Sequence, residues 1–172
     1  MGVERRPAAV LAADVVGYSR LMGTDELGTL TTLNGYRIEL IEPAIAACNG
    51  RIVKTTGDGI LIEFASAVEA VSCAMAVQSK MREINEGAAQ IVAFRIGINV
   101  GDIIVYNDDI FGNCVNIAAR IENECEPGGV YLSGSAFEQV KGKIDLTFDD
   151  LGERSLKNIE QPVRLFALRE LR

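Results

Sequence analysis

RIVKTTGDGILIEF, residues 51–64, decides how this chain folds. Two β-rich arms flank a Gly-Asp-Gly turn, which is a strong hairpin signal. Ile60, Ile62 and Phe64 alternate onto one face of the second arm. Toward the N-terminus, the apolar run AAVLAA (8–13) ends at Asp14 and predicts a buried strand. Between the two lies a segment with Leu27, Leu30, Leu33, Ile38, Ile41 and Ile45 near helical spacing, so a long helix is expected over Asp25–Ala47. Gly35 and Pro43 interrupt its pattern.

Beyond the hairpin, Ser66 opens SAVEAVSCAMAVQSKM with Glu69 three residues on, the pattern of a capping box. Val68, Val71, Met75 and Val77 or Gln78 mark the expected buried side of that helix. IVAFRIGINVGDIIVY (91–106) predicts two strands broken at Val100–Gly101–Asp102. FGNCVNIAARIENEC (111–125) predicts a helix stopped by Glu-Pro-Gly-Gly. GGVYLS gives a short strand, SAFEQV a short helix, and IDLTFDDLG and VRLFALREL the closing strands. The order β-α-β-β-α-β assigns an α+β fold with a ferredoxin-like βαββαβ core and additional α/β elements. No repeat, low-complexity tract or linker divides the chain. Residues 1–7 are expected to be a lead-in and 8–170 one domain.

Composition narrows the function. At 172 residues and 48% apolar, the chain can bury a real core. A net charge of −7 argues against nucleic acid or an anionic membrane surface as partner, since both reward basic proteins. No apolar run approaches the roughly 20 residues of a membrane span, and no secretory leader is visible, so a cytoplasmic location is expected. The four cysteines, Cys48, Cys73, Cys114 and Cys125, form no CxxC pair and read as reduced, half-buried thiols. Histidine is absent, which removes Ser-His-Asp, Cys-His and HExxH chemistry together. Proton transfer must then use carboxylate, lysine, water or a metal-bound hydroxyl.

Three segments carry the remaining chemistry. Asp14 in ADVVGYS ends an apolar run three residues before Gly17, and Asp58 in KTTGDG stands between Gly57 and Gly59. Each alone fits a turn residue. Brought together at a sheet rim, they would hold divalent metal next to backbone amides of Gly17, Tyr18 and Ser19, an arrangement suited to a nucleoside triphosphate. Lys54 precedes Asp58 by four residues on the same hairpin. In the third segment, Cys114, Ile117, Ala118, Ile121 and Cys125 form an apolar helical stripe, which leaves Asn116 and Arg120 sharing the opposite face. A solvated face with an Arg120–Glu124 pair is the plainer account of that pattern.

Taken in order, ADVVGYS, KTTGDG, DDIFGNCVNIAAR and LGERSLKNIEQPVRLF resemble the class III nucleotidyl cyclases, the adenylyl and guanylyl cyclase catalytic domain. The resemblance runs from about Ala8 to Leu168. It implies that Asp14 and Asp58, with the Val15 carbonyl, hold two Mg²⁺ or Mn²⁺ ions. It also implies that Lys54 and Asp109 read the purine, Asn116 orients the ribose and Arg120 stabilises charge at the reacting phosphate. Lys157 would contact the terminal phosphates. The implied reaction is two-metal-assisted in-line attack of the ribose 3′-hydroxyl of ATP on its own α-phosphate, giving 3′,5′-cyclic AMP and pyrophosphate. The implied assembly is a homodimer with two shared sites. Where the family often has Phe two residues before the first metal aspartate, this chain has Ala12, a change in packing and not in a ligand.

Three alternatives stand beside this. A guanylyl cyclase would normally carry Glu and a small residue at the purine-reading positions, which hold Lys54 and Asp109 here. A silent cyclase-like dimerisation or regulatory module would usually have lost one of the metal or Asn/Arg positions. A ferredoxin-like RNA-binding module is opposed by the acidic surface and by the lack of an aromatic strand motif.

Overall fold

A computed structural model describes residues 2–169. The hairpin forms as expected: β2 (Arg51–Thr56) pairs antiparallel with β3 (Gly59–Phe64). Next to β3 runs β1 (Glu4–Val15), and beyond it β4 (Phe94–Tyr106). With the helices between β1 and β2, and with α4 (Ala67–Asn85) between β3 and β4, these strands give the order β2-β3-β1-β4 of a ferredoxin-like core. The sheet extends through β6 (Val130–Ser133), β8 (Val163–Leu168) and β7 (Phe148–Arg154), while the short β5 (Asp109–Phe111) folds back on β4. The β4–β6 pair is parallel and the others are antiparallel.

Helices cover both faces, which is why the AAVLAA run is apolar without alternation. Ala8, Val10 and Ala12 pack with Cys114 and Ala118 of α5 (Asn113–Glu124). Ala9 and Leu11 face the larger core under α4, with Ile62, Phe64 and Val71. Ile60 is partly buried against that same core. α6 (Gly134–Val140) closes this side through Ala136 and Val140. Gln78 is buried on α4 because its amide donates to the Phe94 and Gly129 carbonyls, each at 2.9 Å. The Ser66 half of the expected capping box is present, with Ser66 Oγ accepting from the Glu69 amide at 3.2 Å, while the Glu69 carboxylate accepts from the Ser66 hydroxyl.

Several expectations change. The helix expected over Asp25–Ala47 is divided. α1 (Tyr18–Thr24) stops where Asp25 caps α2 (Glu26–Tyr36), its carboxylate accepting from the Gly28 amide at 3.0 Å. Arg37–Ile41 then forms a π-helical turn ahead of α3 (Glu42–Ala47). Pro43 lacks the amide that would continue the ladder, so the ladder widens just before it. Leu27, Leu30 and Ile38 remain exposed, Leu33 and Ile41 are partly buried against the core, and of the expected stripe Ile45 alone is fully buried. The strand expected to break at Val100–Gly101–Asp102 is continuous, because β1 pairs with it without interruption from Glu4 to Val15. For the same reason β1 takes in residues 4–7, expected as lead-in. On α4, Val68 and Met75 are only half-buried, and Ala67, Ala70, Cys73 and Ala74 do the close packing. Residues 170–171 of the last expected strand lie outside the described residues.

Gly97 of β4 fixes how closely α5 lies on the sheet. A β-carbon there would stand 2.3 Å from the Glu122 amide nitrogen and 2.8 Å from the Ala118 carbonyl oxygen, both backbone atoms. Gly97→Ala is therefore expected to cost about 1–3 kcal/mol or more through overpacking. Urea unfolding should show a lower midpoint with an unchanged slope; an unshifted midpoint would contradict this packing.

Candidate active site

β1 carries Asp14 to the sheet rim, where Gly59 and Arg95 stand opposite it on β3 and β4. The Val15 amide donates to the Asp58 carbonyl at 3.1 Å, which ties the hairpin turn to the end of β1. Asp14 and Asp58, both half-buried, thereby come to the wall of one cavity of about 240 Å³, together with Val15, Gly57 and Tyr18. Gly17 has the left-handed φ of 67° that turns the chain from β1 into α1.

Two groups missed in the sequence complete this rim. Arg95 forks onto Asp14, Nε to Oδ1 at 3.1 Å and Nη2 to Oδ2 at 2.8 Å. Glu122 of α5 lies 3.7 Å from the same Nη2, buried, with its Oε2 accepting no hydrogen bond among the described residues. Burial pushes the Glu122 carboxyl up to about 8; Asp14 and Asp58 act in the same direction and Arg95 opposes them. The hydrogen bonds to Asp14 hold the Arg95 guanidinium above its ordinary range against the effect of burial. The available signals were a lone Arg in the apolar run FRIGINV and a Glu one position past Ile121 on the buried side of the helix.

Lys54 and Asp109 also meet. Lys54 Nζ is 3.2 Å from Asp109 Oδ2, and Asp109 Oδ1 accepts from the Ile110 amide at 2.7 Å. They do not line the cavity that Asp14 and Asp58 share. Asn116 and Arg120 do not line it either. Cys114, Ala118, Ile121 and Cys125 are buried as expected and Ile117 is half-buried, which leaves Asn116 exposed and Arg120 half-exposed on the outer side of α5. Glu124 pairs with Arg154 at 3.3 Å, so it is engaged elsewhere than with Arg120. Lys157 is exposed in the segment joining β7 to β8, away from the cavity. All four cysteines are free, and burial pushes Cys73 and Cys125 up to about 12 and Cys114 to about 11.

The donor set suits a hard divalent cation. Among the described residues no group of three His, Cys, Asp or Glu side chains could hold a metal by itself. Two carboxylates with carbonyl, water and phosphate oxygens are the usual Mg²⁺ environment beside a nucleotide. Arg95 already on Asp14 marks the rim as a place that receives positive charge.

The fold and this rim define a nucleotide cyclase catalytic domain, and the chain belongs to the family of adenylate and guanylate cyclase catalytic domains, which residues 4–170 match. It is 48% identical to a Rhizobium meliloti (strain 1021) protein provisionally named adenylate cyclase 3, over 95% of this chain and 28% of that protein. An adenylate cyclase of Streptomyces coelicolor is 33% identical over 80% of this chain and 34% of its own length. The chain thus spans about a third or less of these relatives. Among solved structures, the adenylate/guanylate cyclase/hydrolase from Silicibacter pomeroyi superposes with a TM-score of 0.92 at 44% identity, covering 97% of this chain and 98% of that one. The adenylyl cyclase CyaB from P. aeruginosa shares the fold, with a TM-score of 0.88 at 24% identity, covering 100% of this chain and 98% of that one. Among the described residues no helix is long and apolar enough to cross a membrane.

Proposed function

We propose that this chain is an adenylyl cyclase catalytic domain, converting ATP into 3′,5′-cyclic AMP and pyrophosphate in the two composite sites of a homodimer. The observation that carries this reading is the separation of its polar groups. Asp14 and Asp58 share one rim, whereas Asn116 and Arg120 point outward from the far side of α5. A second copy can bring such an outward face to the first copy's rim, and the twofold then makes two equivalent sites.

In each site Asp14 and Asp58, with the Val15 carbonyl, would hold two divalent cations. When bound, these supply positive charge that acidifies the attacking hydroxyl and neutralises the leaving phosphates. The amides of Gly17, Tyr18 and Ser19 lie on the turn where phosphate oxygens would approach, and Lys157 extends that contact to the terminal phosphates. From the other protomer, Asn116 hydrogen-bonds the ribose and so holds the 3′-oxygen in line with the α-phosphorus. Arg120 meets the charge that builds on the phosphate, with a planar fork suited to phosphate oxygens. A domain consuming ATP in this way works on the cytoplasmic side.

Purine choice follows from Lys54 and Asp109. Adenine presents an acceptor at N1 beside a donor at N6. Lys54 can only donate and ionised Asp109 can only accept, and the two already stand 3.2 Å apart. Guanine reverses both edges, and each mismatch costs about 1–3 kcal/mol. ATP is therefore expected to exceed GTP in kcat/KM by roughly a hundredfold. Incubation with either nucleotide plus Mn²⁺, followed by chromatography for the cyclic product, tests both points. Equal rates would refute the purine assignment, and no cyclic product from either would refute the activity.

A further inference from the structure

Among the described residues no ladder joins β2 to β5: β2 pairs with β3, and β5 with β4. Side chains of β2 make the connection instead. Lys54 reaches Asp109, and Arg51 reaches one residue before it, donating from Nη1 to the Asp108 carbonyl at 3.1 Å. Asn107 and Asp108 form the two-residue turn between β4 and β5, with left-handed φ values of 54° and 64°. Arg51 therefore grips the turn itself, and Asp109 is the next residue.

Arg51 is held in its turn. Its Nη2 donates to Glu63 Oε1 at 2.8 Å, and Arg6 forks onto the same carboxylate at 2.9 and 3.0 Å. The Glu63 side chain is 12% exposed against 41% for Arg51, so the carboxylate is the fixed end of the pair. Burial raises the Glu63 carboxyl, but the bonds from Arg6 and Arg51 outweigh it and hold the group below its ordinary value. Strand register explains why Arg51 and Lys54 stand on one face. Arg51 lies opposite Glu63 and Ile52 opposite Ile62, but Lys54 lies opposite Leu61, which leaves Val53 as an extra residue. Without that bulge Lys54 would follow Ile52 toward the larger core. With it, Lys54 turns to the side of Leu61 and Glu63, where Arg51 already stands.

We propose that Arg51 is a positioning residue for purine selection: anchored on Glu63, it holds the β4–β5 turn by the Asp108 carbonyl and so keeps the Asp109 carboxylate at Lys54. This rests on the reading that Lys54 and Asp109 receive the adenine edge. Lys54 sits within a six-residue strand, whereas Asp109 opens a strand of three residues beside a tight turn. Asp109 is thus the member of the pair that needs an outside hold. Without Arg51 its carboxylate loses a fixed distance from Lys54, and adenine loses its advantage over guanine.

The test is kcat/KM for ATP and for GTP, each with Mn²⁺, in the full chain. Arg51→Met keeps the aliphatic stem and removes both donors. It is expected to lower the ATP/GTP ratio about tenfold, through a fall with ATP while GTP stays within a few-fold. Asp109→Ala is expected to lower the ratio as well, and adding Arg51→Met to it should change the ratio no further. A loss of folded protein would instead lower both nucleotides together and leave their ratio. Arg51→Lys, which keeps the charge but has no fork to span both partners, should fall between the parent and Arg51→Met. The inference alone is overturned if Arg51→Met keeps the parent's ratio while Asp109→Ala lowers it, if ATP and GTP fall equally, or if the double variant drops below Asp109→Ala. Should Arg51→Met fail to fold, Arg51→Lys decides, and a ratio equal to the parent's overturns the inference. An Asp109→Ala ratio equal to the parent's overturns the purine assignment, and a parent that cyclises neither nucleotide overturns the activity; this inference falls with either.

Discussion

Arg120→Ala is expected to lower turnover by about 10²–10³ while the KM for ATP stays within a few-fold. Arg120 stands half-exposed on the outer face of α5, and its i+4 neighbour Glu124 is engaged with Arg154, so its removal takes little from the fold. The proposed role is confined to the transition state, where negative charge gathers on the phosphate being attacked. A donor aimed at that charge adds little to ground-state binding, so the loss falls on kcat. Arg120→Lys keeps one positive charge but no fork and should recover only part of the rate. Initial rates with Mn²⁺ across a range of ATP concentrations separate the two constants. A turnover number equal to the parent's would remove Arg120 from the reaction.

Mixing two inactive proteins, Asp58→Ala and Arg120→Ala, is expected to restore activity. In a mixed dimer one composite site receives both lesions and the other receives none. With equal amounts and free exchange, half of the dimers are mixed and each has one whole site, so roughly a quarter of the parent activity should return. Such recovery cannot arise if each chain carries a complete site of its own. Neither variant alone can imitate it: Asp58→Ala removes a carboxylate from both rims, and Arg120→Ala removes the guanidinium from both partners. Exchange is followed independently with two different affinity tags. Verified mixed dimers that remain inactive would reject the shared-site assembly.

What the sequence revealed was local. The hairpin at 51–64, the N-cap at Ser66 and the buried stripe of α5 each follow from contacts within a few residues, and each is present. The misreadings lie where distant pairing overrides local punctuation. Gly101 looks like a break in IVAFRIGINVGDIIVY, yet β1 runs beside it and carries the strand through. Leu27, Leu30 and Ile38 keep helical spacing but remain exposed, since spacing says nothing of what lies opposite. The same limit hid half of the rim. Asp14 closes an apolar run just before a glycine turn, and Asp58 sits between two glycines, contexts that chemistry can read. Arg95 and Glu122 acquire meaning only when β4 and α5 bring them to Asp14, 81 residues from Arg95 in one case.

Arg120 and Glu122 are two residues apart on one helix, one facing out and the other in, and Gly97 seats that helix hard against the sheet. In the twofold assembly proposed above, this short rod would border its own chain's rim with one side and complete the neighbour's catalytic centre with the other. A tilt of α5 cannot then be private to either centre. The two proposed pockets would be geared together through half a turn of backbone, and filling one is expected to alter the posture of the arginine lent to its twin.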